Sequence, residues 1–115
     1  MPNKHNEANL QANCVSAFYA FYPHLYGLLF MNYNNPKSAR HGGLLRRMGL
    51  VAGIADMTFL SPNGAIFIEL KLPTGKQTQR QKQWQKIAED AGYKYYIARN
   101  VREFLNIIGH EQIKK

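Results

Sequence analysis

The sequence predicts an α/β domain whose elements run helix, three strands, helix, strand, helix. Three observations carry that prediction. Apolar residues recur at helical spacing before Pro23, two strand-like runs flank the turn Ser61-Pro62-Asn63-Gly64, and a capped amphipathic helix separates this hairpin from a further strand. At 115 residues the chain is the length of one domain, residues 1–115 with a core from about residue 6 to 108, and can bury that core without disulfides or structural metal.

The first helix is expected over residues 6–22, with Leu10, Cys14, Phe18 and Phe21 as its buried stripe and Glu7 on the same stripe three residues before Leu10. Pro23 ends it, and residues 25–31 predict a buried strand. Residues 32–53 then form a Gly-rich, basic connection with a short helical turn near Leu44, long enough to suggest function or mobility. Within it the Gly42-Gly43 pair lacks a phosphate-loop pattern and reads as flexibility.

The hairpin strands are residues 55–60 and 65–71. Proline presets φ at the first central turn position, asparagine tolerates the second and glycine relieves the exit. Symmetric closure pairs Leu60 with Ala65, Thr58 with Phe67 and Asp56 with Glu69. Next, Pro73-Thr74-Gly75 breaks the chain, and Thr78 with Gln81 forms a capping box for a helix whose buried stripe is Trp84, Ile87, Ala88 and Ala91. Gly92 stops that helix, residues 93–99 read as a strand, and Asn100 opens a last short helix through Ile108.

Fifteen Lys and Arg against seven Asp and Glu give a net charge of +8, which points to a polyanionic partner. The single Cys14 has no internal disulfide partner, and neither His24 nor His41 has a partner at metal-ligand spacing. No apolar run approaches the ~20 residues of a membrane span and the polar N-terminus is not a signal peptide, so a cytoplasmic location, in a bacterial or phage-infected cell, is expected.

Three acids, Glu7, Asp56 and Glu69, sit where neighbouring apolar patterns direct them inward. Directly opposed residues on one sheet face have Cβ atoms roughly 4.5–5.5 Å apart, so the Asp56–Glu69 pair needs a compensating cation. Alternation puts Lys71 on the face of Glu69 and sends Ile66, Ile68 and Leu70 to the core. A divalent cation bound by both carboxylates, with a lysine beside it, makes a hydrolytic site.

Glu7 on the first helix, Gly53-Ile54-Ala55-Asp56 leading a strand, Glu69-Leu70-Lys71 ending the next, and Gly75-Lys76 followed by Gln81 and Trp84 together resemble the VRR-type (virus-type replication and repair) nuclease domain of the PD-(D/E)xK superfamily. The likeness runs from about Glu7 to about Ile108, as in a stand-alone member, and departs at Ala55, where the family usually has proline. It implies a restriction-endonuclease-like α/β fold with a central mixed sheet flanked by helices. It further implies DNA hydrolysis with Mg²⁺ or Mn²⁺ held by Asp56, Glu69 and the backbone carbonyl of Leu70. Glu7 becomes a direct or water-mediated ligand, Lys71 positions or deprotonates the attacking water, and Gln81 reaches the site. Stand-alone relatives resemble homodimers acting on branched DNA such as four-way junctions.

Arg40, His41, Arg46 and Arg47, with Lys76, Arg80 and Lys82, are the expected phosphate contacts, while Tyr93, Tyr95 and Tyr96 are expected to pack in the sheet. Two other readings stand beside the nuclease: a basic nucleic-acid-binding module without turnover, and a toxin-like or restriction nuclease on the same fold. Retention of Glu7, Asp56, Glu69 and Lys71 together favours turnover.

Overall fold

The computed structural model describes residues 4–33 and 39–114, the side chains of residues 4, 5 and 39–41 excepted. Helix α1 (Lys4–Phe21) buries Cys14 and Phe18, and Leu10 and Tyr22 pack partly against the same core. Its stripe advances by fours. Phe21, expected on that stripe, is 67% exposed, because the step from Phe18 lands on Tyr22, whose ring centroid lies 5.8 Å from that of Phe18.

The strand expected over residues 25–31 is shorter. Pro23–Leu25 forms a 3-10 turn, and Gly27, at φ +92, makes a bend that few other residues would accept. Strand β1 is therefore only Leu29–Met31, with Leu29 buried and Phe30 and Met31 exposed at the sheet edge. The helical turn expected near Leu44 is a nine-residue helix, α2 (Ala39–Arg47), which contains Gly42 and Gly43. It ends in a Schellman motif, Leu50 N–H to the Leu45 carbonyl and Gly49 N–H to the Arg46 carbonyl.

Strands β2 (Met57–Ser61) and β3 (Gly64–Leu70) pair antiparallel with Leu60 opposite Ala65 and Thr58 opposite Phe67, the register expected from the turn. The Ser61 hydroxyl donates to the Gly64 carbonyl and accepts from the Asn63 N–H, which locks the turn. Helix α3 (Gln79–Asp90) carries both halves of the capping box and stops at Gly92. It leads to β4 (Lys94–Ala98), parallel to β3, and then to α4 (Val101–Glu111), whose Asn100 cap accepts from the Glu103 N–H. The α4 helix runs three residues beyond the expected end at Ile108.

The sheet order is β1-β2-β3-β4, a mixed sheet with helices on both faces, consistent with a restriction-endonuclease-like fold. One face, with Leu29, Met57, Phe59, Ile66, Ile68, Leu70 and Ala98, packs on Cys14 and Phe18 of α1 and on Phe104 and Ile108 of α4. The other face receives α3, anchored by the edge contact of Trp84 on Phe67 at 4.9 Å. Ile87 and Ala91, expected to be buried on α3, are exposed. The sheet-facing side of the helix is Gln81, Trp84, Gln85 and Ala88; Gln81 is polar because of what lies beneath it, and Gln85 bonds to Gln77 and Glu89. Among the described residues no helix is long and apolar enough to cross a membrane.

Candidate active site

Glu69 is the polar group under α3. It is 1% exposed near the end of β3, on the face opposite the core. Asp56 stands just before β2, one step beyond the Met57–Ile68 pair, so the two carboxylates meet as the hairpin register requires. The Asp56 Oδ2 accepts from the Leu70 N–H at 2.7 Å, which fixes its rotamer across the two strands.

The approach to Asp56 is held on two sides. Asn32, just after β1, donates its backbone N–H to the Asp56 carbonyl at 2.8 Å and its amide to the Ala55 carbonyl at 3.0 Å, while accepting from the Thr58 hydroxyl. These bonds constrain the segment at Ala55 without a proline. On the other side Gly53, at φ +82, lies against the first turn of α3, and a Cβ there would sit 2.5 Å from the Arg80 carbonyl oxygen. Only glycine allows this approach.

Gln81 meets both expectations placed on it, the capping box and the reach to the site. Its Oε1 accepts from the Thr78 N–H at 2.8 Å, completing the capping box, and its Nε2 donates to Glu69 Oε2 at 2.8 Å. Helix start and site are one construction. Lys71, also buried, places Nζ 3.8 Å from Glu69 Oε2 and runs its aliphatic stem past Gly75. Arg99 donates to the carbonyls of Leu72, Pro73 and Gly75, tying down the loop that follows Lys71.

These groups border a cleft of about 380 Å³ lined by Glu7, Ala8 and Gln11 of α1, Gly53, Asp56, Glu69, Leu70, and Thr78, Arg80 and Gln81. Lys71, on the same sheet face as Glu69, is not among the residues that line the cleft. Glu7 faces the two inner carboxylates from α1, and among the described residues no three His, Cys, Asp or Glu side chains converge tightly enough to hold an ion by themselves. Burial, then the neighbouring Asp56 carboxylate, pushes the Glu69 carboxyl up to about 8, with Lys71 pulling the other way. The lysine does not offset burial and the Asp56 charge together.

Of the expected DNA contacts, Arg80 lines the cleft; Lys76, Lys82, Arg46 and Arg47 are exposed, and the side chains of Arg40 and His41 lie outside the described residues. Residues 34–38, part of the expected basic loop, also lie outside them. Two site residues escaped the sequence reading. Gln11 follows Glu7 by one helical turn, a spacing that marks a shared face. Tyr95, placed in sheet packing, is buried as expected, yet its hydroxyl also points to Glu69 Oε1 at 3.5 Å. Burial, then the Glu69 charge, keeps that phenol protonated well above its ordinary range.

A solved structure titled "VRR_NUC domain protein" shares this fold, with a TM-score of 0.67 and 16% identity over 89% of this chain and 87% of that one. No protein-family model matches the sequence, and no curated protein matches it significantly.

Proposed function

We propose that the protein is a metal-dependent deoxyribonuclease that hydrolyses phosphodiester bonds in branched DNA, such as a four-way junction. The observation that carries this reading is the meeting of Glu69, all but sealed from solvent, with Asp56 on the wall of a cleft, where the nearest ammonium, that of Lys71, stands 3.8 Å from Glu69. Such a pair is costly without a cation.

The donor set fits a hard divalent ion, since both side chains offer carboxylate oxygens and Leu70, whose carbonyl the family resemblance adds as a ligand, lines the same cleft. Asp56, Glu69 and that carbonyl would hold Mg²⁺ or Mn²⁺, with Glu7 acting from across the cleft through water. When bound, the ion supplies Lewis acidity and lowers the pKa of water. Gln81 orients Glu69, and Lys71 brings a buried ammonium that orients the attacking water and stabilises charge developing on the phosphate. Arg80, at the first turn of α3, grips a phosphate at the mouth of the cleft.

A single site cuts one strand, whereas resolving a four-way junction takes two cuts. We therefore infer a two-fold homodimer that places one site on each of two strands. The exposed Arg46, Arg47, Lys76 and Lys82 extend the grip, so affinity falls steeply as salt rises. The test is cleavage of linear duplex, single strand, flap and four-way junction in EDTA, Mg²⁺ and Mn²⁺, with sedimentation at micromolar concentration. Cleavage in EDTA overturns the metal site, and salt-sensitive binding without cleavage in any metal supports a binding module instead. A monomer that nicks duplex as readily as junction overturns the substrate and assembly while leaving the site intact.

A further inference from the structure

We propose that Tyr95 is a positioning residue for cation binding, holding the Glu69 carboxylate through a hydrogen-bond chain that runs from the surface of α3 by way of Gln85 and Gln77. The proposal rests on the metal-nuclease reading above and assigns residues to it that the resemblance did not supply.

The direction of the chain follows from which groups can donate. Glu89 Oε2 is an acceptor, so the Gln85 amide turns its Nε2 toward it, at 3.3 Å, and its Oε1 toward Gln77. Gln77 must then present its NH₂. One hydrogen goes to Gln85 Oε1 at 2.9 Å and the other to the Tyr95 hydroxyl oxygen at 3.2 Å. With that oxygen accepting, the single phenolic hydrogen is left for Glu69 Oε1, 3.5 Å away. On the other side, Gln81 spends its carbonyl on the Thr78 N–H and so must donate to Glu69 Oε2.

Both oxygens of Glu69 are thus addressed by donors whose orientation is set elsewhere in the fold. Each oxygen keeps further acceptor capacity for a cation on the cleft side. Tyr95 is 8% exposed and its ring lies 6.1 Å from that of Trp84, so packing fixes where the hydroxyl stands. Outer partners of this kind orient a ligand, and losing one typically weakens metal binding 10- to 100-fold. The long Tyr95–Glu69 separation places the expectation at the lower end.

The experiment is calorimetric titration of Mn²⁺ into wild type, Tyr95→Phe, Gln77→Leu and the double variant, with thermal melts of the metal-free proteins. Tyr95→Phe keeps the ring and is expected to lower Mn²⁺ affinity about tenfold with a nearly unchanged melt, and its cleavage rate is expected to recover at saturating Mn²⁺. Gln77→Leu is expected to cost about threefold, and the double variant no more than Tyr95→Phe alone, because Gln77 acts through Tyr95. Unchanged affinity in Tyr95→Phe beside a wild type that binds Mn²⁺, or fully additive losses in the double variant, overturns this proposal alone. A wild type that takes up no Mn²⁺ overturns the metal-site reading and this proposal with it.

Discussion

Two buried glutamates stand on opposite faces of the same sheet, and they differ in what surrounds them. Glu69 under α3 meets Tyr95 and Lys71; Glu111, 0% exposed at the end of α4, meets Tyr96 and Lys94. Adjacent tyrosines of β4 point to alternate faces, so one strand serves both acids. At Glu111 the lysine closes to 3.0 Å on Oε2, while its own side chain, 51% exposed, keeps access to water. That charge is matched within the fold. At Glu69 the lysine stands 3.8 Å off and a second carboxylate, Asp56, adds to the charge beside an open cleft. A buried carboxylate marks a candidate site when its surroundings leave it under-compensated at the wall of a cleft, and burial alone does not distinguish the two.

The comparison breaks most directly at the under-compensated end. Asp56→Asn or Glu69→Gln is expected to lower Mg²⁺- or Mn²⁺-dependent cleavage by about 10³-fold or more, because each removes an oxygen donor and the charge that attracts the ion. The metal-free melt is expected to hold or rise, since repulsion within the pair is relieved. A full rate in either variant would refute the assignment. Lys71→Ala comes next, with turnover down about 10²-fold and metal-dependent DNA binding nearly unchanged. If binding vanishes while bound complexes react normally, Lys71 is a phosphate anchor.

At the matched end the effect moves from rate to stability. Glu111→Ala is expected to cost about 3 kcal/mol in denaturant unfolding, from the vacated volume and the stranded Tyr96 hydroxyl, with cleavage per folded molecule preserved. Loss of activity at full stability would erase the distinction between the two glutamates.

These two sites were not equally legible in the sequence. The Asp56–Glu69 encounter follows from local chemistry, because the Ser61-Pro62-Asn63-Gly64 turn fixes the register and alternation then fixes the face. The capping box placed Gln81 at the start of α3 for the same reason, while its reach to Glu69 was expected only from the family resemblance. Glu111 was missed although Phe104, Ile108 and Glu111 repeat at helical spacing, because an acid on an apolar stripe reads as the helix end. Tyr95 needed information that no local pattern contains: the parallel register that sets it beside Phe67, one step along the face from Glu69. The strand over residues 25–31 was overextended because the apolar run hides the bend at Gly27, and α3 was given too apolar a stripe because its half-buried Gln81 covers a carboxylate and Gln85 bonds to Gln77.

The smallest expected effect sharpens the comparison in the metal-free protein. Glu69 carries a carboxyl raised from 4.5 to about 8, chiefly by burial and then by Asp56, with which it also shares a hydrogen bond. A proton therefore stands in for the missing positive charge. Between those two values the native state holds a proton that the unfolded chain has released, and stability falls wherever the native state binds the more protons as pH rises. In EDTA the melting temperature is thus expected to decline from about pH 4.5 to about pH 8 through the contribution of Glu69. Glu69→Gln should flatten that component, since an amide has no proton to lose. Saturating Mg²⁺ or Mn²⁺ should oppose the decline as well, because an ion that binds only the folded state stabilises it by mass action and favours the ionised carboxylate. Melts of wild type and Glu69→Gln across this range, each in EDTA and in Mn²⁺, read the difference. Parallel curves for the two proteins would mean that Glu69 is compensated as fully as Glu111, and the contrast between the two faces of the sheet would then carry no functional meaning.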